Sequence, residues 1–345
     1  MLLFIGPEPN AENEKDGMTQ RVRWIDEQFA DTPRVILHIR LKKGWKKSRH
    51  VRSPFLTVEE MNFLHVFRIL SLALHSDGIY VHSCYNALKS LPVYFLGVPV
   101  ITDLHGVVPE ELRDEGRPIV SGWMSLIERL VIWRSKALVF VTDTMRRHFL
   151  KKYRGMHSKG SYVIPILPEQ PILEKQSRNP RLVIYAGGTQ PWQNVEKMGE
   201  VAAQTQGQFH YIFLTGRIGE FTRKLHAEGL TDIQVDSVPK SRVFDYYQRA
   251  SFGLILRENS LVNRVACPTK MVEYLWAGVI PIVEMPHVGD FEAVGYRYIL
   301  RKDFVNLSIP DRSELEAMRS TNQGVIASLR DLGMQELTRL KADVA

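Results

Sequence analysis

Apolar and polar positions follow two alternating patterns along this chain. Short runs of consecutive apolar residues, typical of buried strands, are separated by segments whose apolar residues recur every three or four positions, which is typical of helices. The alternation begins with a strand at 2–5 and a helix at 17–29, and it starts again with a strand at 182–186. Strands that alternate with helices predict an α/β protein whose sheets are parallel and doubly wound.

The same patterns predict the remaining elements. In the first half, strands are expected at 34–39, 78–82, 98–102, 137–141 and 162–166, and helices at 61–74, 86–96, 123–135 and 144–153. In the second half, strands are expected at 209–214, 233–236, 252–256, 279–283 and 298–300, and helices at 195–203, 241–249, 268–277 and from 312 onward. Two polar segments lack either pattern: 40–52 is predicted to be a loop, and 107–122 an irregular, mobile acceptor loop.

The length of 345 residues accommodates two domains of ordinary size. Four prolines within 165–180 predict an interdomain linker at 166–180, between an N-terminal domain at 1–165 and a C-terminal domain at 181–311. Helices at 312–345 complete the chain.

Several whole-chain features indicate a cytoplasmic protein. No run of eighteen apolar residues is present, so no membrane-spanning helix is expected. The opening MLLFIG is too short for a signal peptide and is predicted to be the first strand. Cys84 and Cys267 lie far apart without metal-binding spacing, and we expect both to be reduced thiols.

Residues 252–284 combine a strand, a polar loop, a helix and a second strand. Pro268 suits the first turn of that helix, because its missing N–H would have no partner there in any case. The helix start offers the amide groups of Thr269, Lys270 and Met271 together with the positive end of the helix dipole. Both features favour a bound anion.

Charged side chains flank this helix start. Arg257 at the end of the strand and Lys270 in the first turn add two positive charges, whereas Glu273 lies one turn further along. A carboxylate at that position repels phosphate but accepts hydrogen bonds from a ribose diol. A phosphate-binding position followed by a position that binds sugar hydroxyls predicts a nucleotide site.

The segment resembles the donor-site signature of GT-B glycosyltransferases, specifically family 4 and its relatives. The residues that carry the resemblance are Pro268, Thr269, Lys270, Glu273, Tyr274, Gly278, Pro281 and Ile282. Over 182–283 the chain is also similar to a bacterial subgroup linked to surface-polysaccharide synthesis, through a Tyr-x-Gly-Gly…Trp-Gln run and an Arg-Glu…Pro-Thr-Lys loop.

The resemblance implies a GT-B architecture, in which two Rossmann-like, doubly wound domains face a central cleft and the last helices pack back on the first domain. It implies metal-independent, retaining transfer of a hexosyl group from a nucleotide-diphosphate sugar, with UDP favoured over GDP, to a glycan or lipid-linked acceptor. No cofactor and no metal are expected. The chain contains no Asp-x-Asp triplet, which argues against the metal-dependent GT-A type.

The resemblance also assigns residues. His105 lies just beyond a predicted strand, where open α/β sheets hold their ligands, and the family has a histidine at the donor sugar on this loop. The expected catalytic residues are His105, Arg257, Lys270 and Glu258. The expected donor-binding residues are Gly17, Gly187, Gly188, Gln193, Pro268, Thr269, Met271 and Glu273.

The sequence departs from the family pattern at its glutamates. The family has two, separated by seven residues, and Glu273 matches the second. The first falls at Val265, which cannot accept a hydrogen bond from a sugar hydroxyl. We expect Glu258 to substitute for it.

A second departure concerns the diphosphate cations. The Arg and Lys that usually follow the first strand of the second domain are replaced by Gly188 and Gln193. We therefore expect Arg257 and Lys270 to supply both charges from the opposite side of the donor site, because guanidinium and ammonium groups both bind phosphate.

The formal charge of +7 is uneven, since residues 1–170 contain 24 Lys and Arg against 18 Asp and Glu. The excess is densest at 40–52, around Trp45. Such a patch suits an anionic membrane, nucleic acid or an anionic acceptor, as well as a solvated loop. We expect peripheral contact with the inner membrane face and, without a recognition motif, no nucleic acid.

Three alternative functions remain open on the sequence. One is a sugar-nucleotide epimerase, which uses a related two-domain cleft without an acceptor. The second is a non-catalytic subunit that binds nucleotide only. The third is a nucleic-acid-binding protein that uses the basic segment 40–52.

Overall fold

A computed structural model describes residues 1–10, 13, 16–41, 45–167, 177–230 and 233–344. The chain forms two compact units. Unit 1 contains Met1–Ile166 together with Leu332–Ala345, and unit 2 contains Leu167–Asp331. Most of the linker predicted at 166–180 lies outside the described residues.

Unit 1 is built on an eight-stranded sheet. Its strands are β1 (Leu2–Ile5), β2 (Arg34–Arg40), β3 (Ser48–Ser53), β4 (Leu56–Asn62), β5 (Gly78–His82), β6 (Val100–Leu104), β7 (Ala137–Phe140) and β8 (Gly160–Val163). Its helices are α1 (Gly17–Glu27), α2 (Val66–Leu74), α3 (Ser83–Lys89), α4 (Val108–Asp114), α5 (Pro118–Arg134) and α6 (Asp143–Lys152). Short 3-10 turns lie at Leu91–Phe95 and Arg154–Ser158.

The strand order of this sheet is β3-β4-β2-β1-β5-β6-β7-β8. All its neighbours pair in parallel except β3 and β4, which form an antiparallel hairpin at the edge. The chain moves outward from β1 to β2 and β4 and then returns to β5 on the other side. The switch point of the sheet therefore lies between β1 and β5, where doubly wound sheets hold ligands at their carboxyl ends.

Apolar residues cover both faces of the unit 1 sheet, as parallel strands require. Leu3 and Ile5 point into one buried cluster, whereas Phe4 points into the other. Leu337 and Leu340, from the end of the last helix of the chain, belong to the second cluster. That end of the helix is therefore an integral part of the unit 1 core.

Unit 2 repeats the architecture on six strands. They are β9 (Asn179–Ala186), β10 (His210–Leu214), β11 (Gln234–Asp236), β12 (Ala250–Ile255), β13 (Ile280–Val283) and β14 (Ile299–Leu300), in the parallel order β11-β10-β9-β12-β13-β14. The helices are α7 (Val195–Gln204), α8 (Ile218–Ala227), α9 (Lys240–Arg249), α10 (Leu261–Val265), α11 (Thr269–Ala277) and α12 (Arg301–Val305), and a 3-10 turn lies at Pro191–Gln193. The last helix, α13 (Arg312–Val344), begins in unit 2 and belongs to unit 1 from Leu332 onward. The switch point of this sheet lies between β9 and β12.

Close packing fixes α11 against this switch point. A Cβ at Gly253, in the middle of β12, would collide with the ring of Tyr274 on α11. The absence of a side chain therefore lets that ring approach the strand, and its hydroxyl donates to the Ile184 carbonyl of β9 at 3.2 Å. Gly278 ends α11 with a φ of 71°, a left-handed conformation that glycine adopts without strain.

The structure corrects the sequence predictions mainly in unit 1. The predicted helix at 61–74 begins only at Val66, because the residues before it form β4. The predicted loop at 40–52 contains β3, although residues 42–44 lie outside the described part. The predicted irregular segment at 107–122 contains α4 and the start of α5.

Smaller differences concern unit 2. The helices α8 and α10 were absent from the sequence prediction. Pro268 precedes α11 as its N-cap residue rather than lying inside the first turn. Among the described residues, no helix combines the length and the apolar character needed to cross a bilayer.

Candidate functional site

The predicted donor segment lies at the switch point of the unit 2 sheet. Gly187 directly follows β9, and Arg257 follows β12, which pairs in parallel with β9. Lys270 lies in the first turn of α11. Because parallel strands end on the same edge of a sheet, the fold brings these sequence-distant residues to one place.

The Lys270 side chain lies across the end of β9. Its Nζ donates to Gln193 Oε1 at 3.1 Å and lies 3.8 Å from the centre of the Tyr185 ring. A Cβ at Gly187 would collide with this Nζ and with the Tyr185 hydroxyl, so glycine makes room for the ammonium. Burial, together with the positive charge of Arg257, holds the pKa of Lys270 well below its usual range.

Arg257 is the second cation of the predicted site. Its Nη1 donates to Asn263 Oδ1 at 3.3 Å, and burial lowers its pKa to about 10. Neither Arg257 nor Lys270 forms an ion pair with a carboxylate among the described residues. Burial disfavours the charge of both cations, and Arg257 further lowers the pKa of Lys270, so the site gains from binding an anion.

The amino terminus of α11 contributes backbone donors. Within the described chain, the amides of Thr269 and Lys270 have no hydrogen-bond acceptor, as is usual for the first residues of a helix. The amide of Met271, by contrast, donates to the Pro268 carbonyl at 2.9 Å. Two of the three predicted amide donors are therefore free, and Met271 is a buried packing residue.

Glu273 lies one turn further along α11 and is partly buried. The Tyr247 hydroxyl donates to its Oε2 at 3.1 Å and orients the carboxylate. Burial raises the pKa of Glu273, although Lys240 and this hydrogen bond oppose the shift. The carboxylate is fixed in direction and has further acceptor capacity for a ligand.

The remaining predicted residues of unit 2 divide into two groups. Gly188 accepts a hydrogen bond from the Tyr185 hydroxyl at its carbonyl, at 2.7 Å, so it lies beside the cations. Glu258 is 68% exposed, and its Oε1 lies 3.3 Å from both Lys197 Nζ and Asn194 Nδ2. Glu258 is therefore occupied by a lysine at the surface, whereas Val265, where the family glutamate is missing, is buried.

Unit 1 contains a separate buried cluster around Asp103, in β6. Arg21 of α1 donates to both carboxylate oxygens, at 3.0 and 3.2 Å, and the Tyr80 hydroxyl donates at 2.9 Å. His105, which follows β6 as predicted, places Nε2 3.2 Å from Asp103 Oδ2. Burial alone would raise the pKa of Asp103, but Arg21 and His105 outweigh it and hold the pKa well below its usual range.

His82 completes this cluster at the end of β5, beside the switch point. Its ring lies against Gly6, which follows β1, and its Nδ1 lies 3.5 Å from Asp103 Oδ2. Burial lowers the pKa of His82 to about 4, so the imidazole is neutral near pH 7. Ser83 follows with a φ of 69°, a strained conformation for a residue with a side chain.

His82, Asp103 and His105 place one potential metal-ligand atom each within 4.8 Å of one another. The Arg21 guanidinium already neutralises the carboxylate in this buried position. A divalent cation would add charge beside Arg21 without a second carboxylate, so the cluster is better suited to orienting imidazoles than to holding a metal.

Gly17 is the first residue of α1, one helical turn before Arg21. The helix α1 therefore contains both Gly17, which was predicted to bind the donor, and Arg21, whose guanidinium donates hydrogen bonds to Asp103. The sequence analysis missed Arg21, His82 and Asp103. A histidine at the end of a strand, the signal that identified His105, was equally present at His82.

No protein family matches the sequence, and no curated protein is significantly similar to it. Solved structures are similar over nearly the whole chain. HepE from Anabaena in complex with UDP and glucose has 14% sequence identity and a TM-score of 0.73, with 99% of both chains covered. Sucrose-phosphate synthase from Thermosynechococcus elongatus has 11% identity and a TM-score of 0.72, covering 100% of this chain and 99% of the other.

An α,α-trehalose-phosphate synthase (UDP-forming) from Burkholderia vietnamiensis is similar at 12% identity and a TM-score of 0.68, with 99% of both chains covered. At these identities the likeness concerns the fold. The chain consists of two successive α/β units whose doubly wound sheets are mainly parallel, and it aligns with these solved structures along nearly their full length. It therefore has the GT-B fold.

Proposed function

We propose that this protein is a glycosyltransferase that moves a hexosyl group from a nucleotide-diphosphate sugar to a glycan or lipid-linked acceptor. The observation that carries the proposal is the pair of cations at the switch point of unit 2. Arg257 and Lys270 lie there beside the amino terminus of α11, without carboxylate partners in the described chain. This arrangement matches the charge of a departing diphosphate.

In the proposed reaction, the bond between the anomeric carbon of the sugar and the β-phosphate oxygen breaks, and negative charge develops on that oxygen. The acceptor hydroxyl oxygen bonds to the same carbon, and the hydroxyl proton passes to the departing diphosphate. Arg257, Lys270 and the amides of Thr269 and Lys270 stabilise this charge, so no metal ion is required for it. His105 is assigned to the transferred sugar, with Gly17 allowing close approach of the donor. The proposed stereochemical outcome is retention, as the family resemblance implies.

The donor assignment extends to the nucleoside. Glu273, held by Tyr247, is proposed to accept hydrogen bonds from the ribose diol. Gly187, Gly188 and Gln193 line the diphosphate position around Lys270. Glu258 is proposed to bind sugar hydroxyls, which requires release of its contact with Lys197. Solved neighbours in complex with UDP and with UDP-glucose support UDP as the nucleotide of the donor.

The proposal is less specific about the acceptor than about the donor. We assign the protein to bacterial polysaccharide synthesis at the cytoplasmic face of the inner membrane, with residues 40–52 near the lipid surface. Arg40, Arg49 and Arg52 of this basic segment each contact a carboxylate, respectively Glu60, Glu59 and Glu8. Lys46 and Lys47 are exposed cations in the same segment.

Thermal unfolding in the presence of nucleotides tests the donor site directly. UDP, GDP, ADP, CMP and their sugar conjugates are compared with and without EDTA. A ligand at a hundredfold excess over its Kd adds about 2.7 kcal/mol of stability, a shift of several degrees. We expect the shift with UDP and UDP-sugars, and we expect it to survive EDTA and to be lost in Lys270→Ala.

Three results would redirect the proposal. The absence of a shift with every nucleotide would remove the donor site. A UDP-sugar that is converted without any added acceptor into its epimer would identify an epimerase. Nucleotide binding without transfer or epimerisation would identify a non-catalytic subunit.

A further inference from the structure

The helix α5 of unit 1 exposes a continuous apolar stripe. Ile119, Trp123, Leu126 and Trp133 are 78, 68, 60 and 66% exposed, and the partly exposed Leu130 lies between the last two. Their spacing of three and four residues places all five on one side of the helix. Two of the protein's tryptophans therefore face solvent on a single helix face.

The opposite side of α5 is the one that packs into unit 1. Ser121, Met124, Glu128, Val131 and Ile132 are buried there. The helix consequently presents apolar residues both to its own core and to solvent. A contiguous exposed apolar face of this kind marks an interaction surface rather than a solvated helix.

The exposed charges on α5 itself are of one sign. The carboxylate of Glu128 is buried and accepts from Lys152 and from the Tyr153 hydroxyl, both at 2.6 Å. The exposed charged residues of α5 are thus Arg129 and Arg134. The Arg134 guanidinium stacks 4.3 Å from the centre of the Phe95 ring and 4.6 Å from that of Trp133.

A groove continues the stripe toward the turn at Arg154–Ser158. It has a volume of about 740 Å³ and is lined by Leu126, Leu130, Trp133 and Met156, with Arg129 and Arg154 among its cations. Lys159, also in its wall, donates to the backbone carbonyls of Trp133 and Ser135. The groove has an apolar floor and guanidinium groups that form no carboxylate pair among the described residues.

We propose that this α5 face docks on an anionic lipid bilayer, with the stripe in the acyl-chain boundary and lipid phosphates at Arg129 and Arg154. Tryptophans and cations around an apolar helix face are the composition that interfacial helices use. A symmetric dimer through the same face would bring Arg129 and Arg134 of two copies together without carboxylates to offset them. In the basic segment 40–52, by contrast, Arg40, Arg49 and Arg52 each contact a carboxylate.

Binding to vesicles tests the proposal on the full-length protein without nucleotide, so its outcome is independent of the transferase reaction. Vesicles of phosphatidylcholine with phosphatidylglycerol are compared with vesicles of phosphatidylcholine alone, at low and high salt. We expect binding to the anionic vesicles that weakens with salt. Fluorescence quenching by lipids brominated in the acyl chain should report the two tryptophans, and Trp123→Phe with Trp133→Phe should remove most of it.

The decisive variant is Trp123→Ser with Leu126→Ser, which changes exposed residues only and should leave the thermal unfolding midpoint unchanged. We expect its partition onto anionic vesicles to fall by about tenfold or more, because two apolar side chains that enter the acyl-chain boundary are replaced by polar ones. The charge variant Arg129→Glu should weaken binding to anionic vesicles specifically. The control Leu74→Ser removes a leucine of α2 that is 58% exposed, close to the 60% of Leu126, and should bind as wild type.

Three results would overturn the proposal. The first is wild-type vesicle binding in the Trp123→Ser, Leu126→Ser variant together with loss of binding in Lys46→Ala with Lys47→Ala. The second is equal partition onto anionic and neutral vesicles. The third is a dimer, measured by light scattering, that disappears in the Trp123→Ser, Leu126→Ser variant while no vesicle binding occurs.

Discussion

The ammonium group of Lys270 lies 3.8 Å from the centre of the Tyr185 ring. An aromatic face attracts a cation without neutralising it. Gln193 holds the same ammonium through its amide oxygen, at 3.1 Å. Lys270 is therefore positioned by neutral partners, and its charge is available to an anion at the amino terminus of α11.

We expect Lys270→Ala and Arg257→Ala each to cost about 2–4 kcal/mol of transition-state stabilisation, as measured by kcat/KM for sugar transfer. The reason is that each cation is partly buried and is proposed to face the departing diphosphate. The control Lys224→Ala removes a unit 2 lysine that pairs with Glu196 at the surface, and it should leave kcat/KM unchanged. Wild-type turnover in either site variant would exclude that residue from the mechanism.

Nucleoside diphosphate binding should be accompanied by proton uptake. In the free site, burial and Arg257 lower the pKa of Lys270, which favours the neutral amine. A bound diphosphate favours the charged ammonium and raises that pKa, so protons are taken up from solution on binding. Calorimetry in buffers of different ionisation enthalpy measures the number of protons taken up per nucleotide bound. Proton uptake of equal size in Lys270→Met would contradict the assignment.

Gly187→Ala should weaken nucleotide binding while the fold is retained. A Cβ at this position collides with Lys270 Nζ and the Tyr185 hydroxyl, so the ammonium must move, at a cost of about 1–3 kcal/mol. Gly216→Ala is the matched control, because a Cβ there meets nothing within 4 Å. Titration calorimetry with UDP measures the difference, and equal affinities in the two variants would refute the close-packing explanation.

Glu273→Gln should weaken binding of UDP by about 1.5–3 kcal/mol, the range for hydrogen bonds to charged groups. Binding of inorganic pyrophosphate should be unaffected or improved, because it contains no ribose and is repelled by the carboxylate. Comparing the two ligands separates the ribose contact from the diphosphate contact. A parallel loss of affinity for both ligands would show that Glu273 supports the site only through its structure.

Asp103→Asn should destabilise unit 1 by about 3–5 kcal/mol, because the fully buried Arg21 guanidinium loses its charged partner. Denaturant unfolding measures this loss. Asp245→Asn, which breaks the surface pair with Arg242, is the control and should cost less than about 1 kcal/mol. A small effect of Asp103→Asn would mean that the Pro165 carbonyl and Tyr80 suffice to satisfy Arg21.

The order of elements could be predicted where sequence signals are local. Gly278 closes α11 at the predicted residue, because a left-handed residue is needed there and glycine supplies it. The segment at 107–122 was predicted irregular because it is charged and lacks a periodic apolar pattern. Pro109 and Pro118 instead lie in the first turns of α4 and α5, where a missing N–H costs no hydrogen bond.

The edge strand β3 shows a different limit. Its sequence, SRHVRS, has little apolar character, and five of its six residues are exposed. It is a strand because its backbone pairs with β4 in an antiparallel hairpin, a contact that no periodicity within the segment reveals. The helix prediction at 61–74 was wrong at its start for the same reason, since the backbone of β4 is committed to β2 and β3.

The sequence by itself determined the two α/β repeats and the strand-loop-helix-strand order of 252–284, because apolar periodicity, proline and glycine act on neighbouring residues. It also named Arg257, Lys270, Glu273 and His105. Only the tertiary structure decided which of these residues have partners: Glu258 lies with Lys197, Lys270 with Tyr185 and Gln193, and His105 with Asp103. Such pairings join strand ends far apart in the chain, and the sheet order that brings them together is a property of the whole fold.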